Sequence, residues 1–159
     1  MIIFTATNTT NLMLEEKIQQ DIKAAMLAKD SVALASVRGI KAAILLAKTS
    51  EGGKPVDDAE IVKIIQKLVK QRKESAEIYT QQNRPELAEN ELAEAAVMER
   101  YLPKQLSEAE IEEAVKGIIS QVGASSMADM GKVMGVATKV LAGQADGKVI
   151  SALVRKLLA

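Results

Sequence analysis

The side chains that could do chemistry in this sequence are carboxylates, lysines, arginines and a few hydroxyls, because the chain has no histidine and no cysteine. Without histidine it lacks the usual general base near neutral pH and the commonest metal ligand. Without cysteine it lacks thiol catalysis, disulfides and thiolate metal sites. The carboxylate pairs Glu15/Glu16, Asp57/Asp58 and Glu112/Glu113 are adjacent in sequence. Adjacent residues on a helix point in different directions, so these pairs read as caps and solvated faces rather than acid/base couples. A serine triad would lack its histidine, and no nucleophile elbow, phosphate loop, dinucleotide fingerprint or EF-hand spacing occurs. The expectation is therefore no catalytic residue, no metal ligand and no cofactor.

Basic residues gather in two places. Lys63, Lys67 and Lys70 recur at spacings of four and three, followed by Arg72 and Lys73. They read as the solvated back of an amphipathic helix. From Ala124 to Ala159 the bases Lys132, Lys139, Lys148, Arg155 and Lys156 outnumber the acids Asp129 and Asp146. That local excess could meet phosphates. The whole chain has 21 basic and 21 acidic residues, so no global field draws it to nucleic acid or to an anionic membrane. Gly131 and Gly135 stand four apart inside a helical pattern, where each costs up to about 1 kcal/mol relative to alanine. Such glycines permit close helix packing or the close approach of a partner's backbone. Arg38, among Leu34, Val37 and Ile40, is expected to form a partly buried ion pair. Met127, Met130 and Met134, at helical spacing, are expected in the core.

The elements that must position these residues are helices. Apolar stripes at helical spacing and capping signals predict a first helix from Leu14 to Ala28 and a second from Ser31 to Lys48, with Asp30 as its cap. A third follows Asp57, with Glu60 three residues on, and runs to Gln82. Asn83-Arg84-Pro85 breaks it and opens a fourth helix to Arg100. Pro103 ends that one. Ser107 and Glu110 form a capping box for the fifth, which Gly123 stops. Ser126 and Asp129 repeat the capping spacing before a sixth helix, from Met127 to Leu141. Asp146 caps a seventh, whose N-terminal amides beside Lys148 would favour a phosphate. No segment alternates with period two for the length of a strand. The fold class is all-α: an N-terminal helical bundle over residues 14–102, then a small three-helix domain over residues 103–159. Aromatic residues make up only 2% of the chain, so the core must be aliphatic.

Residues 1–13 carry no charge and are rich in Thr and Asn, and they read as a loose arm. They lack the basic start and apolar run of a signal peptide, and no stretch is apolar enough to span a membrane. Together with the missing disulfides, this favours the cytoplasm.

Five segments carry a resemblance: Lys70 to Ser75, Tyr101 to Leu106, Gly123 to Met127, Asp129 to Gly135, and Ala145-Asp146-Gly147. Through them the stretch Leu14 to Ala159 resembles the YqeY-like proteins of bacteria, in the GatB/YqeY family, which is related to the tail of the B subunit of tRNA-dependent amidotransferase. The resemblance implies an all-α fold and a role beside tRNA. It implies an accessory module without catalysis of its own, because the chemistry of the amidotransferase lies outside its tail. A label of glutamine-dependent carbon–nitrogen ligase would then be inherited from the larger enzyme. Lys132, Lys139, Lys148 and Arg155 would contact phosphate, and Gly131, Gly135 and Gly147 would let backbones approach. Gln144 stands where the resemblance leads us to expect arginine. The rival expectation is a protein-interaction module that docks on an aminoacyl-tRNA synthetase or an amidotransferase.

Overall fold

The computed structural model describes residues 13–50, 52 and 55–159. The arm expected over residues 1–13 lies outside them except for Met13, which is already helical. The described elements are α1 (Met13–Ala28), α2 (Ser31–Ser50), α3 (Asp58–Gln81), α4 (Pro85–Glu99), α5 (Glu108–Val122), α6 (Met130–Val140) and α7 (Gly147–Leu158). Among the described residues there is no strand.

The caps do what their chemistry dictates, with one exception. The Asp57 side chain accepts the Glu60 amide at 2.9 Å, and Asp30 accepts the Ala33 amide at 3.0 Å. Ser107 and Glu110 close a reciprocal capping box, and Gly123 ends α5 at φ 69°, a left-handed conformation that suits glycine. The exception is the start of α6. Ser126 makes no side-chain cap, and Met127–Asp129 form a single 3-10 turn before the helix begins at Met130. The Asp129 amide is taken at 3.0 Å by the Ser126 carbonyl, and the Asp129 carboxylate reaches back 2.9 Å to the Ser125 amide. The expected cap has therefore lost its donor to a backbone turn.

Contacts divide the chain into two units, one ending at Leu102 and one starting at Pro103. In the first, Ile18, Ile22, Val37, Ile40, Ile44, Ile61, Ile65 and Met98 form an aliphatic core drawn from α1 to α4. Arg72 of α3 reaches across to α4, where its Nη1 lies 3.2 Å from Glu91 and 3.0 Å from Glu94. Glu94 is only 8% exposed. The buried ion pair of this unit is thus centred on Arg72, and the expectation for Arg38 is wrong. Arg38 is exposed, and among the described residues it pairs with no acid. Val37, Ile40 and Ile44 define the buried stripe of α2, and Arg38 falls one residue off it. At the end of α4, the Tyr101 hydroxyl donates to Asp21 of α1. Burial, and then that bond, push the phenol above the usual tyrosine range.

In the second unit, Ile111, Val115, Ile118, Val133, Ala137, Leu141, Ile150, Leu153, Val154 and Leu158 form a separate core. Met130 and Met134 pack against it, but Met127 is 43% exposed, because it sits in the 3-10 turn ahead of the helical register. The segment before α5 is tied to the α6–α7 turn: the Leu106 amide donates to the Gln144 carbonyl at 3.0 Å, and the Gln105 side chain to the Gly143 carbonyl at 2.7 Å. We expect residues 103–159 expressed alone to give a helical circular dichroism spectrum and a cooperative melt. A piece starting at Ser107 should melt at lower temperature, since it lacks these two bonds and the apolar packing of Leu106. A random-coil spectrum from the longer piece would refute independent folding.

Candidate nucleic-acid interface

Burial assigns each helix of the second unit an inner and an outer face. On α6, Val133 and Ala137 are buried, as is Leu141 just past its end, with Met130 and Met134 beside them. At about 100° per residue, the opposite side carries Gly131, Lys132, Gly135, Thr138 and Lys139, all exposed. On α7, Ile150, Leu153, Val154 and Leu158 face the core, while Gly147, Lys148, Arg155 and Lys156 are exposed. The structure therefore gathers the expected residues as two rows. Lys132 and Lys139 share one line of α6, and Lys148 and Arg155 share one line of α7. In each row the two bases are seven residues apart, about 10 Å along the axis.

The two glycines of α6 have no internal explanation. A Cβ built at Gly131 or Gly135 meets nothing within 4 Å, and the same holds at Gly147. Of the two uses expected for them, close packing within the unit is removed. Thr138 lies on this same outer face, where its hydroxyl donates to the Met134 carbonyl at 2.8 Å. Sequence reasoning passed over it, although its spacing of three from Gly135 would have found it.

Electrostatics divide the unit. Lys116 lies 3.8 Å from Glu112 and 3.6 Å from Glu113, and with Glu108 and Glu110 also on it, α5 is the acidic helix. Lys139, Lys148 and Arg155 make no ion pair among the described residues. Lys132 acts on Asp129, whose carboxyl is held below its usual range by the amides of Ser125 and Ser126 and, to a smaller extent, by that lysine. The N-terminus of α7 is not an open seat for a phosphate, because the Asp146 carboxylate already takes the Lys148 amide at 3.0 Å. The other basic row is partly engaged: Lys63 lies 3.5 Å from Glu60, and Lys70 also has a partner.

Residues 15–158 match the family described as Yqey-like protein. The chain belongs to that family. Yqey-like relatives include proteins named altered inheritance of mitochondria protein 41, mitochondrial. The one from Lachancea thermotolerans is 32% identical over 69% of this chain and 59% of its own length. The one from Meyerozyma guilliermondii is 35% identical over 78% of this chain and 66% of its own length. The one from Pyrenophora tritici-repentis is 29% identical over 98% of this chain and 86% of its own length. The chain thus spans less than two thirds of the first two relatives. Their names place those proteins in mitochondria, which overturns the expectation of a cytoplasmic protein. That expectation rested on missing cysteines and a missing signal peptide, and these features do not distinguish one reducing compartment from another. No described helix is long and apolar enough to cross a membrane.

Proposed function

We propose that this Yqey-like chain is an accessory module without catalysis of its own that meets tRNA through the outer faces of α6 and α7. The observation that carries the reading is the bare backbone at Gly131 and Gly135, exposed beside Lys132 and Lys139 and required by no neighbour within the unit. A helix accepts two such glycines at a cost in stability, and a partner lying against the backbone explains why they are there. Lys132 lies between the two glycines along α6 and Lys139 follows one turn beyond Gly135, while Lys148 and Arg155 add a second basic row. The resemblance of this region to the tail of the amidotransferase B subunit selects tRNA among polyanions.

The test is a salt-dependent binding titration with tRNA. Lys132→Gln, Lys139→Gln and Lys148→Gln should each weaken binding without lowering the melting temperature. The slope of log affinity against log salt should shrink by about 0.7–0.9 for each phosphate that is no longer neutralised. A triple Gln variant at Lys63, Lys67 and Lys70 is the control. Loss of binding in the control alone would move the interface to α3.

One observation favours a second reading, docking on an aminoacyl-tRNA synthetase or an amidotransferase. Met127, in the 3-10 turn before α6, and Val140, the last residue of α6, are 43% and 59% exposed, and exposed apolar side chains suit a protein partner. Capture of such an enzyme with little dependence on salt, and no shift of tRNA at low salt, would select this alternative.

A further inference from the structure

The outward faces of α6 and α7 present few kinds of chemical group. Residues 103–159 contain no aromatic ring, because Phe4, Tyr79 and Tyr101 all precede Pro103. Neither helix contains Asp, Glu, Asn or Gln. Besides the bases, the exposed positions of α6 are Gly131, Gly135, Thr138 and Val140, and those of α7 are Gly147 and Ala152. Unpaired bases in single strands are recognised by stacking on aromatic rings or on arginine planes, and in this unit only Arg155 offers such a plane. Reading all four base edges takes amide and carboxylate side chains as well as cations. The faces instead offer cations, bare backbone and one hydroxyl, and these suit phosphates and sugars.

The state of that hydroxyl narrows the choice. Thr138 stands seven residues after Gly131 and three after Gly135, so it continues the glycine line of α6, with the line of Lys132 and Lys139 beside it. A hydroxyl has one hydrogen, and Thr138 shares its own between the Met134 carbonyl at 2.8 Å and the Gly135 carbonyl at 3.4 Å. Toward a partner, the Thr138 oxygen can therefore only accept. A phosphate oxygen has no hydrogen to give it. A ribose 2′-hydroxyl has one, and deoxyribose lacks that group.

Resting on the tRNA-binding reading above, we infer that α6 lies over the minor groove of a double-helical RNA stem, where Thr138 accepts from a ribose 2′-hydroxyl and the basic rows hold the bordering phosphates. A-form RNA displays its 2′-hydroxyls in a wide, shallow minor groove, whereas its deep, narrow major groove is closed to side chains. The partner is then a duplex read by shape and sugar rather than by sequence, and Thr138 is the residue that tells RNA from DNA.

The experiment is a competition titration of the full chain on fluorescently labelled tRNA at low salt. The competitors are an RNA duplex of about 16 base pairs, a DNA duplex of the same sequence, and oligouridine of equal length. The RNA duplex should compete about ten-fold better than either of the others. Thr138→Val keeps the shape and removes the oxygen, so it should weaken the RNA duplex about three- to ten-fold and leave the DNA duplex unchanged. Thr138→Ser, which keeps the hydroxyl, should bind RNA as the wild type does. Neither change should alter the salt slope, in contrast to Lys132→Gln, because no phosphate contact is lost. A guanine amino group in the minor groove can also donate to Thr138, but DNA carries it too. Equal losses on both duplexes, or unchanged RNA affinity in Thr138→Val, would overturn the assignment to ribose. Equal competition by DNA or by oligouridine would overturn the duplex while leaving tRNA binding in place. No binding of the labelled tRNA would instead overturn the parent reading, and this one with it.

Discussion

Replacing Arg72 with methionine should destabilise the first unit by about 2–4 kcal/mol, placed below the usual cost of breaking a buried pair because the arginine is partly exposed. The cause is what the change leaves behind. Glu91 and Glu94 lie 3.2 Å and 3.0 Å from the same guanidinium nitrogen, and their side chains are only 15% and 11% exposed. Methionine keeps most of the aliphatic length of arginine but strands two carboxylates against each other in a partly dry site. Arg38→Met is the matched comparison, because Arg38 is exposed and pairs with no acid among the described residues. It should change stability by no more than about 0.5 kcal/mol. Chemical denaturation of both variants decides the point. Equal midpoints would mean that the Arg72 cluster contributes nothing net.

The double change Gly131→Ala/Gly135→Ala should act in opposite directions on stability and on binding. Each substitution places a methyl group in open space, since no heavy atom lies within 4 Å of the built Cβ. Alanine is the better helix former by about 1 kcal/mol per position, so the second unit should gain about 1–2 kcal/mol. On the proposed reading, the same methyl groups hold a partner's backbone away from α6, and tRNA affinity should fall by about ten-fold, a loss near 1.4 kcal/mol. A destabilised protein often loses function for trivial reasons, whereas a stabilised one that binds more weakly must owe the deficit to its altered surface. Raised stability with unchanged affinity would remove the glycine strip from the interface.

Most of the architecture was readable because local and tertiary signals agree. Ile111, Val115 and Ile118 recur at helical spacing, follow a capping box and precede a glycine, and the structure buries all three in α5. Where a reading failed, the deciding contact was not local. Nothing around Arg38 in the sequence reveals that α2 turns it outward, and nothing around Arg72 names Glu91 and Glu94, nineteen and twenty-two residues away, as its partners. Pro85 to Glu99 carries five acids, and nothing in their spacing marks the two that turn inward to that arginine. The start of α6 failed for a subtler reason. Capping spacing was present, but a backbone carbonyl competed for the same amide, and such competition leaves no mark on composition. The basic rows were legible as helical periodicity. Their separation onto two helices and the Asp146 cap of α7 were legible as well; that this cap occupies the Lys148 amide and so closes the seat expected for a phosphate required coordinates.

The outer face of α6 has a further consequence, for motion. This helix has 11 residues, begins after a 3-10 turn without a side-chain cap, and carries two glycines that pack against nothing. Its hold on the unit comes from two fully buried residues, Val133 and Ala137, with Leu141 buried just past its end. Opening α6 locally therefore costs less than opening α5 or α7, and its amides should be the first of the three to exchange with solvent. A partner that settles on this helix must also order it. Part of the interaction energy is spent on that ordering, so binding is weaker for the area covered, and the helix in return can adjust its shape to more than one surface.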